Sequence, residues 1–329
     1  MFIIGGLAAL LIGGEALLRG AVGIARRFHI SEMVIGLTLV GFGTSVPELV
    51  TSLRAVDAGA VGISVGNVAG SNVANVLLVI GIAALIKPII TSPTALARDF
   101  SFMAAVTLAF CMLVYFDLFS RVAGVAMLIV LAAYVLASLL LDRRKGPAAE
   151  LHAEEGGSIT APTGLGLCLV MAVFGAAAVV IGARWLVDGG IALASAAGVS
   201  EAVIGLTIVA IGTSLPEVAT SAVSAFRGKS DVALGNIIGS NIFNVLGILG
   251  VTAIVHPFSV LRFSAADDPG VAFENQGELV NILSRTDIGA VVLSVALMYL
   301  FAFSGKKIAR WEGGVLLLAY GLYLFLILR

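Results

Sequence analysis

The chain has little charge of either sign. Asp, Glu, Lys and Arg make up only 12% of its 329 residues, and the formal net charge is −1. Soluble proteins carry about 25% charged residues, so a chain that is instead 60% hydrophobic is expected to fold within a lipid bilayer. It has no basic tract of the kind that binds nucleic acid, and we expect no nucleic-acid partner.

Cysteine and histidine are also scarce. Cys111 and Cys168 are isolated in apolar runs, which argues against a disulfide or a thiolate metal site. His29, His152 and His256 sit at segment ends or in a linker and form no cluster. No nucleophile paired with a base and no phosphate-binding loop is recognisable. We therefore expect a protein that is not an enzyme, has no organic cofactor and requires no protein partner.

Ten apolar segments have the roughly 20 residues that a helix needs to cross a bilayer. The first lacks a basic n-region and contains Glu15 and Arg19, so we interpret it as a retained span rather than a cleaved signal peptide. A polar linker, 142–163, separates five spans in residues 1–141 from five in 164–329. The predicted spans are residues 2–25, 32–56, 62–86, 99–118, 121–141, 164–194, 201–226, 231–254, 286–304 and 310–328.

The two halves contain the same pair of motifs at a constant offset of 169 residues. A Gly-Leu-Thr segment running to Pro-Glu occupies 36–48 and again 205–217, and a segment that begins Gly-Asn-x-x-Gly-Ser-Asn and ends at a further Asn occupies 66–75 and again 235–244. The register between the halves holds without a gap through nearly sixty residues. The chain is therefore predicted to consist of two copies of a five-helix unit.

Five is an odd number of spans, so the second repeat must begin on the side of the membrane opposite to the first. With the N-terminus placed outside, twelve Lys and Arg residues fall on the other side and five on the same side. The positive-inside rule then makes the linker cytoplasmic and both termini extracellular. The predicted fold is an all-α polytopic membrane protein with two inverted five-helix repeats, a common transporter plan.

Each repeat places a carboxylate after a proline in the middle of an apolar span, Glu48 after Pro47 and Glu217 after Pro216. An acid at the bilayer centre costs at least about 2.5–3.5 kcal/mol, so such a residue indicates a functional site. The proline frees a backbone carbonyl one turn earlier. Carboxylate, carbonyl and Thr or Ser hydroxyl oxygens are ligands that hard cations prefer.

A polar stripe follows on the third span of each half. Its residues recur every four positions, which puts each set on one helical face and predicts that the face points inward. Helix packing is the alternative explanation, but it does not account for the two glutamates. The stripes are Asn67, Ser71 and Asn75 in the first half and Asn236, Ser240 and Asn244 in the second.

Two glutamates balance one divalent ion or two or more monovalent ions. Emptying such a site would leave two uncompensated charges in a low-dielectric interior, which is costly. The return step is then easier with Na⁺ or H⁺ bound than with an empty site. Coupled antiport of Ca²⁺ is the expected consequence.

The paired Gly-Thr-Ser-x-Pro-Glu and Gly-Asn-x-x-Gly-Ser-Asn motifs resemble the two α-repeats of the sodium/calcium exchanger family, in the cation/calcium antiporter superfamily. The resemblance implies that Ca²⁺ binds to the motif glutamates and threonine carbonyls, and that flanking Na⁺ sites use both glutamates, the motif serines and nearby carbonyls. The implied Ca²⁺ ligands are Glu48, Glu217, Thr44 and Thr213, and the implied further Na⁺ ligands are Ser45, Ser71, Gly41, Ser214, Ser240 and Ala210.

One position departs from part of this family. Some close members have an aspartate where this chain has Asn244, which matches Asn75 of the first repeat. We include both asparagines among the candidate ligands. The linker, 142–163, is too short for the large cytoplasmic Ca²⁺-sensing domains of animal relatives, so no such regulation is expected.

The leading hypothesis is a Na⁺/Ca²⁺ antiporter in the cell membrane that works by alternating access, with the first and sixth spans moving against a bundle that holds the site. Ca²⁺/H⁺ exchange through the same glutamates is the alternative, since a desolvated glutamate can carry a proton. A passive cation channel is a further alternative, which the inverted repeat and the central ligand set disfavour. A membrane enzyme is the remotest.

The second repeat is longer than the first between its third and fourth spans. The extra segment, from Ser264 to Asn281, contains Asp267, Asp268, Glu274 and Glu278. A solvated extracellular loop is the expectation, and a lid over the outer mouth is the alternative.

Overall fold

The computed structural model describes residues 2–57, 61–91, 96–143, 164–196, 212–258, 261–263, 279–281 and 285–327. This part of the chain is mostly helical. In chain order its helices are α1 (Phe2–Phe28), α2 (Glu32–Thr44), α3 (Val46–Asp57), α4 (Val61–Ile86), α5 (Ala97–Tyr115), α6 (Arg121–Arg143), α7 (Leu165–Ala196), α8 (Leu215–Phe226), α9 (Ser230–Val255), α10 (Arg285–Ser304) and α11 (Arg310–Ile327).

Eight of these described helices are each long and apolar enough to cross a membrane. The helices α2 and α3 together make a ninth candidate span that bends by 44° between Thr44 and Val46. The helix α8 covers the second part of the predicted span 201–226, and residues 201–211 lie outside the described residues. The prediction of a helical multi-pass membrane protein is confirmed.

The helices α4 and α9, which carry the polar stripes, lie at the centre of the bundle. Buried residues make up 72% and 83% of their apolar windows, against 28–39% in the other long spans. Small residues allow α9 to pack closely against α2: a Cβ added at Gly41 would lie 3.0 Å from the Ser240 amide nitrogen. The site-bearing segments of the two halves are therefore in direct backbone contact.

The first helices of the two halves, α1 and α7, pack antiparallel along glycines spaced seven residues apart. A Cβ added at Gly13 would lie 2.9 Å from the Gly175 carbonyl oxygen, and one added at Gly182 would lie 2.9 Å from the Gly6 carbonyl oxygen. Side chains there would push the two backbones apart. The glycines therefore allow these helices to form a closely packed pair.

Glu15 and Arg19 form an ion pair on α1, with 2.8 Å between Oε1 and Nε. The same carboxylate also pairs through Oε2 with Nε of Arg227, at 2.9 Å. Arg227 directly follows α8, so this bond ties α1 to the second half of the chain.

Two short antiparallel pairs of strands lie outside the spans. Strand β1 (Ile89–Ile90) pairs with β4 (Lys307–Ile308), and β2 (Leu261–Phe263) pairs with β3 (Leu279–Asn281). Residues 279–281, at the end of the predicted loop from Ser264 to Asn281, thus pair with 261–263. Residues 264–278, with the four acidic side chains, lie outside the described part of the chain.

Candidate functional site

The second span of the first half and its counterpart in the second half share a break at the motif serine. Ser45 has φ −85° and ψ 8°, and Ser214 has φ −88° and ψ 1°, a sparsely populated backbone region. A proline two residues later suits the start of a new helix but not a helix interior. The sequence therefore ends α2 before Ser45 and starts α3 directly after it, and α8 likewise starts directly after Ser214.

The break puts each glutamate in the first turn of a helix, Glu48 in α3 and Glu217 in α8. The N-terminus of a helix carries a partial positive charge that favours a carboxylate. Both side chains are nevertheless buried, 1% and 0% exposed, and the two groups interact electrostatically. Two carboxyl groups, one from each half of the chain, are thus brought near each other away from solvent.

Glu217 is held by hydroxyls from both halves of the chain. Its Oε1 accepts hydrogen bonds from Ser45 Oγ at 3.1 Å and from Ser240 Oγ at 3.4 Å. Ser240 Oγ also lies 3.2 Å from the carbonyl oxygen of Gly41, as a second acceptor. The predicted ligands Glu217, Ser45, Ser240 and Gly41 are therefore in one cluster.

Neither carboxylate has a cationic partner among the described residues. The salt bridges among the described residues involve other acids, and Glu48 and Glu217 take part in none of them. Within the same ranges there is no group of three or more His, Cys, Asp or Glu side chains. Protons or bound cations must therefore balance the two charges.

Asn67 and its counterpart Asn236 brace the helices after the breaks. Asn67 Nδ2 donates to the Glu48 carbonyl oxygen at 3.2 Å and to Ser52 Oγ at 3.1 Å. Asn236 Nδ2 donates to two hydroxyls of α8, Thr220 Oγ1 and Ser221 Oγ, both at 2.9 Å. The first residue of each stripe is thus committed to packing.

Four asparagines form a hydrogen-bonded cluster between α4 and α9, which we call the asparagine ring. Asn75 Nδ2 donates to Asn241 Oδ1, and Asn244 Nδ2 donates to Asn72 Oδ1, each at 3.1 Å. Asn72 and Asn241 each donate to the other's backbone carbonyl oxygen at 3.4 Å. Every bond in the ring has a counterpart at the repeat offset, so the two halves meet here symmetrically.

The ring lies where both central helices change geometry. Asn75 begins a π-helical segment, Asn75–Val79, and Asn244 lies in the matching segment, Phe243–Leu249. π-helical turns are rare in proteins, and those that do occur are frequently at functional sites.

Most unpartnered buried oxygens are concentrated at this centre. Seven buried side-chain oxygens in the described part of the chain lack a hydrogen-bond partner, and five belong to predicted site residues. A buried polar atom without a partner costs about 1–3 kcal/mol, so several such oxygens on the predicted site residues are typical of a ligand-binding site. The five atoms are Glu48 Oε2, Glu217 Oε2, Asn75 Oδ1, Asn244 Oδ1 and Ser214 Oγ.

The other predicted ligands are placed differently. Thr44 Oγ1 lies 3.1 Å from the Val40 carbonyl oxygen and 3.2 Å from both the Gly41 carbonyl oxygen and Asn236 Oδ1, so its hydroxyl has acceptors on its own helix and on α9. Ser71 Oγ donates to the Val68 carbonyl oxygen at 3.2 Å and accepts from Asn244 Nδ2 at 3.0 Å.

Two predicted ligands of the second half remain. Thr213 is half-buried, one residue before the break. Ala210 lies outside the described residues.

Sequence reasoning missed Asn72 and Asn241. The every-fourth-residue rule selected Asn75 and Asn244 and passed over the asparagines three residues earlier, which contact the opposite half. The available signal was that both belong to the repeated Gly-Ser-Asn motif.

The apolar spans and this central cluster of buried oxygens define a multi-pass membrane protein whose core offers ligands of the type that cations bind. A family model described as sodium/calcium exchanger protein matches residues 1–140 and 167–329. The chain belongs to that family.

Relatives and solved structures agree with this assignment over nearly the whole chain. The chain is 36% identical over 327 residues to the putative antiporter CaxA of Alkalimonas amylolytica, covering 99% of this chain and 98% of the relative. It is 32% identical over 352 residues to the sodium/calcium exchanger MaX1 of Methanosarcina acetivorans, covering 97% and 95%. A structure of the sodium-calcium exchanger NCX_Mj soaked with Na⁺ and Ca²⁺ matches with a TM-score of 0.77 and 31% identity, covering 98% and 95%.

Proposed function

We propose that this protein is a secondary active Na⁺/Ca²⁺ antiporter that binds its ions between the two halves of the chain. The observation that carries the proposal is the pair of buried glutamates, one from each half, each with an Oε2 that lacks a partner and with no cationic neighbour in the described part of the chain. Together they offer two negative charges, which one Ca²⁺ or two or more Na⁺ neutralise. Because the empty site is costly, the protein returns more easily with the other ion bound, and the two fluxes are coupled.

In this proposal Glu48 and Glu217 are shared by Ca²⁺ and Na⁺. The Ca²⁺ ligands also include the carbonyl oxygens of Thr44 and Thr213, as the family resemblance implies. The unpartnered Oδ1 atoms of Asn75 and Asn244 complete an oxygen shell from both halves. The flanking Na⁺ sites add Ser45, Ser71, Ser214, Ser240 and the carbonyls of Gly41 and Ala210.

We further propose ten spans in two inverted repeats, 1–141 and 164–329, joined by a cytoplasmic linker at 142–163. Contacts between the ends of spans support this topology, because each contact joins two ends that the topology places on the same face of the membrane. On the cytoplasmic face, Lys229 pairs with Glu32 at 2.7 Å, and strand β1 pairs with β4.

On the extracellular face, where the proposal also places both termini, His256 Nε2 lies 2.8 Å from Asp57 Oδ1. The rings of Phe119 and Phe258 stack there with centroids 4.7 Å apart. The reciprocal bonds of the asparagine ring support a two-fold relation between the halves, and inverted repeats place substrates near the bilayer midplane.

The pair α1 and α7 is the proposed moving unit of alternating access. Their backbones are in close contact along the Gly6, Gly13, Gly175 and Gly182 interface, which favours movement of the two helices together. The site-bearing helices α4 and α9 lie in the buried centre and would remain fixed. The bond between Glu15 and Arg227 would then have to rearrange during each cycle.

The proposal predicts that an outward Na⁺ gradient drives Ca²⁺ into proteoliposomes. Purified protein is reconstituted in vesicles loaded with Na⁺ and diluted into Na⁺-free buffer containing radioactive Ca²⁺. Uptake should rise with the internal Na⁺ concentration and disappear when the gradient is collapsed. Vesicles with equal Na⁺ on both sides and an imposed pH gradient are the parallel arm: uptake driven there would contradict Na⁺ coupling and favour Ca²⁺/H⁺ exchange. Uptake that follows neither gradient would indicate a passive pathway.

Removing the hydroxyl of Ser45 or of Ser214 should weaken the binding of Na⁺ more than the binding of Ca²⁺. We expect Ser45→Ala and Ser214→Ala to raise the Na⁺ concentration for half-maximal exchange by about threefold to tenfold, since one neutral oxygen ligand contributes about 0.5–1.5 kcal/mol. Ser64→Ala, which removes a buried unpartnered hydroxyl outside the proposed site, is the matched control and should change nothing. Equal shifts in the Na⁺ and Ca²⁺ dependence would argue against serine ligation of Na⁺.

A further inference from the structure

The asparagine ring restricts how the amides of Asn75 and Asn244 are turned. An asparagine side chain has a donor end and an acceptor end, and the ring occupies the donor end of both residues. Their acceptor ends, the two Oδ1 atoms, therefore point away from the ring, and both are buried without a partner. Reversing either amide would place its oxygen against another oxygen, Asn241 Oδ1 or Asn72 Oδ1.

We propose that Asn72 and Asn241 are positioning residues, whose Oδ1 atoms hold the amides of Asn244 and Asn75 so that both carbonyl oxygens face the ion site. This inference rests on the proposed function, since it concerns the ions of the same site. Each positioning residue belongs to the half opposite to the ligand that it orients. The shell is therefore correctly arranged only when the two halves are docked.

The amides of Asn244 and Asn75 differ in their number of acceptors, so the proposal predicts different effects for the two positioning residues. Asn244 Nδ2 has two acceptors, Asn72 Oδ1 at 3.1 Å and Ser71 Oγ at 3.0 Å. Asn75 Nδ2 has a single acceptor within the described residues, Asn241 Oδ1. Loss of Asn241 should release its ligand, whereas loss of Asn72 leaves Asn244 still held by Ser71.

Helix packing alone does not explain the ring. A bond made only to join α4 and α9 could run in either direction between two amides, and it would not leave the same end of both Asn75 and Asn244 without a partner. The two remaining bonds, between Asn72 and Asn241 and the opposite backbone carbonyls, do join the helices. They also fix the side chains of Asn72 and Asn241, with the oxygen of each turned toward its ligand.

The test separates the orientation of Asn75 from helix packing by replacing Asn75 with aspartate, whose carboxylate is the same in both orientations. Asn241→Leu should raise the KM for Ca²⁺ about tenfold with a smaller change in kcat, and Asn72→Leu should raise it less. An aspartate at position 75 has an oxygen at both ends, so its orientation no longer matters. Adding Asn241→Leu to Asn75→Asp should therefore leave KM within about twofold of the Asn75→Asp protein.

KM and kcat are measured in the proteoliposome assay, with Ser64→Ala as the control for a buried polar change on α4. An unchanged KM in Asn241→Leu, or the same increase in the Asn75→Asp background, would overturn the proposal and leave the ring a packing element. Calorimetric titration of the detergent-solubilised proteins with Ca²⁺ is run in parallel. If wild-type protein binds Ca²⁺ but does not exchange it for Na⁺, the proposed function fails, whereas the order of affinities among the variants still decides the role of the ring.

Discussion

Exchanging Glu48 or Glu217 for glutamine is expected to reduce Na⁺-driven Ca²⁺ uptake by at least about 100-fold. Each substitution keeps the size of the side chain and removes one of the two negative charges that oppose Ca²⁺. Removing one partner of a buried charge pair costs about 3–5 kcal/mol, and every 1.4 kcal/mol corresponds to tenfold in affinity. Initial rates of Ca²⁺ uptake into vesicles over a range of Ca²⁺ concentrations provide the measurement.

Asp57→Asn is the matched control for this loss of charge. Asp57 is the last residue of α3, the helix that carries Glu48 in its first turn. Its side chain is 62% exposed and lies at the end of the span. Its substitution should leave uptake within about twofold of wild type. Uptake of that size in Glu48→Gln or Glu217→Gln would refute the assignment of the site.

The same two substitutions should not lower the thermal stability of the ion-free protein, although they impair uptake. Without bound ions the wild-type protein holds two carboxylates close together and buried, so removing one charge should keep or raise the Tm of the ion-free protein. Ca²⁺ stabilises the protein only to the extent that it binds the folded state, so the rise in Tm on adding Ca²⁺ should be lost in either variant. A variant that simply misfolds would lower Tm under both conditions.

The fold could be predicted well because its main constraint is local. A span needs about 20 apolar residues in a row, and that length is visible in the sequence. The predicted span 62–86 corresponds to Val61–Ile86, and the predicted span 231–254 corresponds to Ser230–Val255. The pairing of 279–281 with 261–263 escaped prediction because strand register across an insertion depends on contacts that no local pattern specifies.

The candidate site could be predicted in part for the same reason. Glu48 and Glu217 stand out because an acid after a proline is unusual in an apolar span. The role of Asn241 could not be predicted, because it depends on a contact with Asn75 across the two halves. Nor could the sequence show that the Thr44 hydroxyl lies against carbonyls of its own helix, since Thr makes such bonds in some helices and not in others.

The second large effect is expected where the backbones of α2 and α9 touch. A Cβ added at Gly239 would overlap the backbone of α2 at the carbonyl group of Leu37. No flexible side chain can move aside there, so even Gly239→Ala must separate the two helices. Overpacking of a tight core costs about 1–3 kcal/mol and occasionally more, and a clash against fixed backbone belongs at the upper end. We expect Gly239→Ala to lower Tm by several degrees and Gly239→Val to prevent recovery of folded protein.

This substitution should also impair exchange, because the next residue is Ser240. Ser240 Oγ lies 3.2 Å from the Gly41 carbonyl oxygen and 3.4 Å from Glu217 Oε1, so a shift of α9 away from α2 would disturb both contacts. Gly321→Ala in α11 is the matched control: a Cβ there meets no atom within 4 Å, and replacing a helical glycine by alanine stabilises by up to about 1 kcal/mol. Thermal unfolding in detergent and vesicle uptake measure the two consequences. If Gly239→Ala matched Gly321→Ala in both, close contact between these backbones would not be what holds the site together.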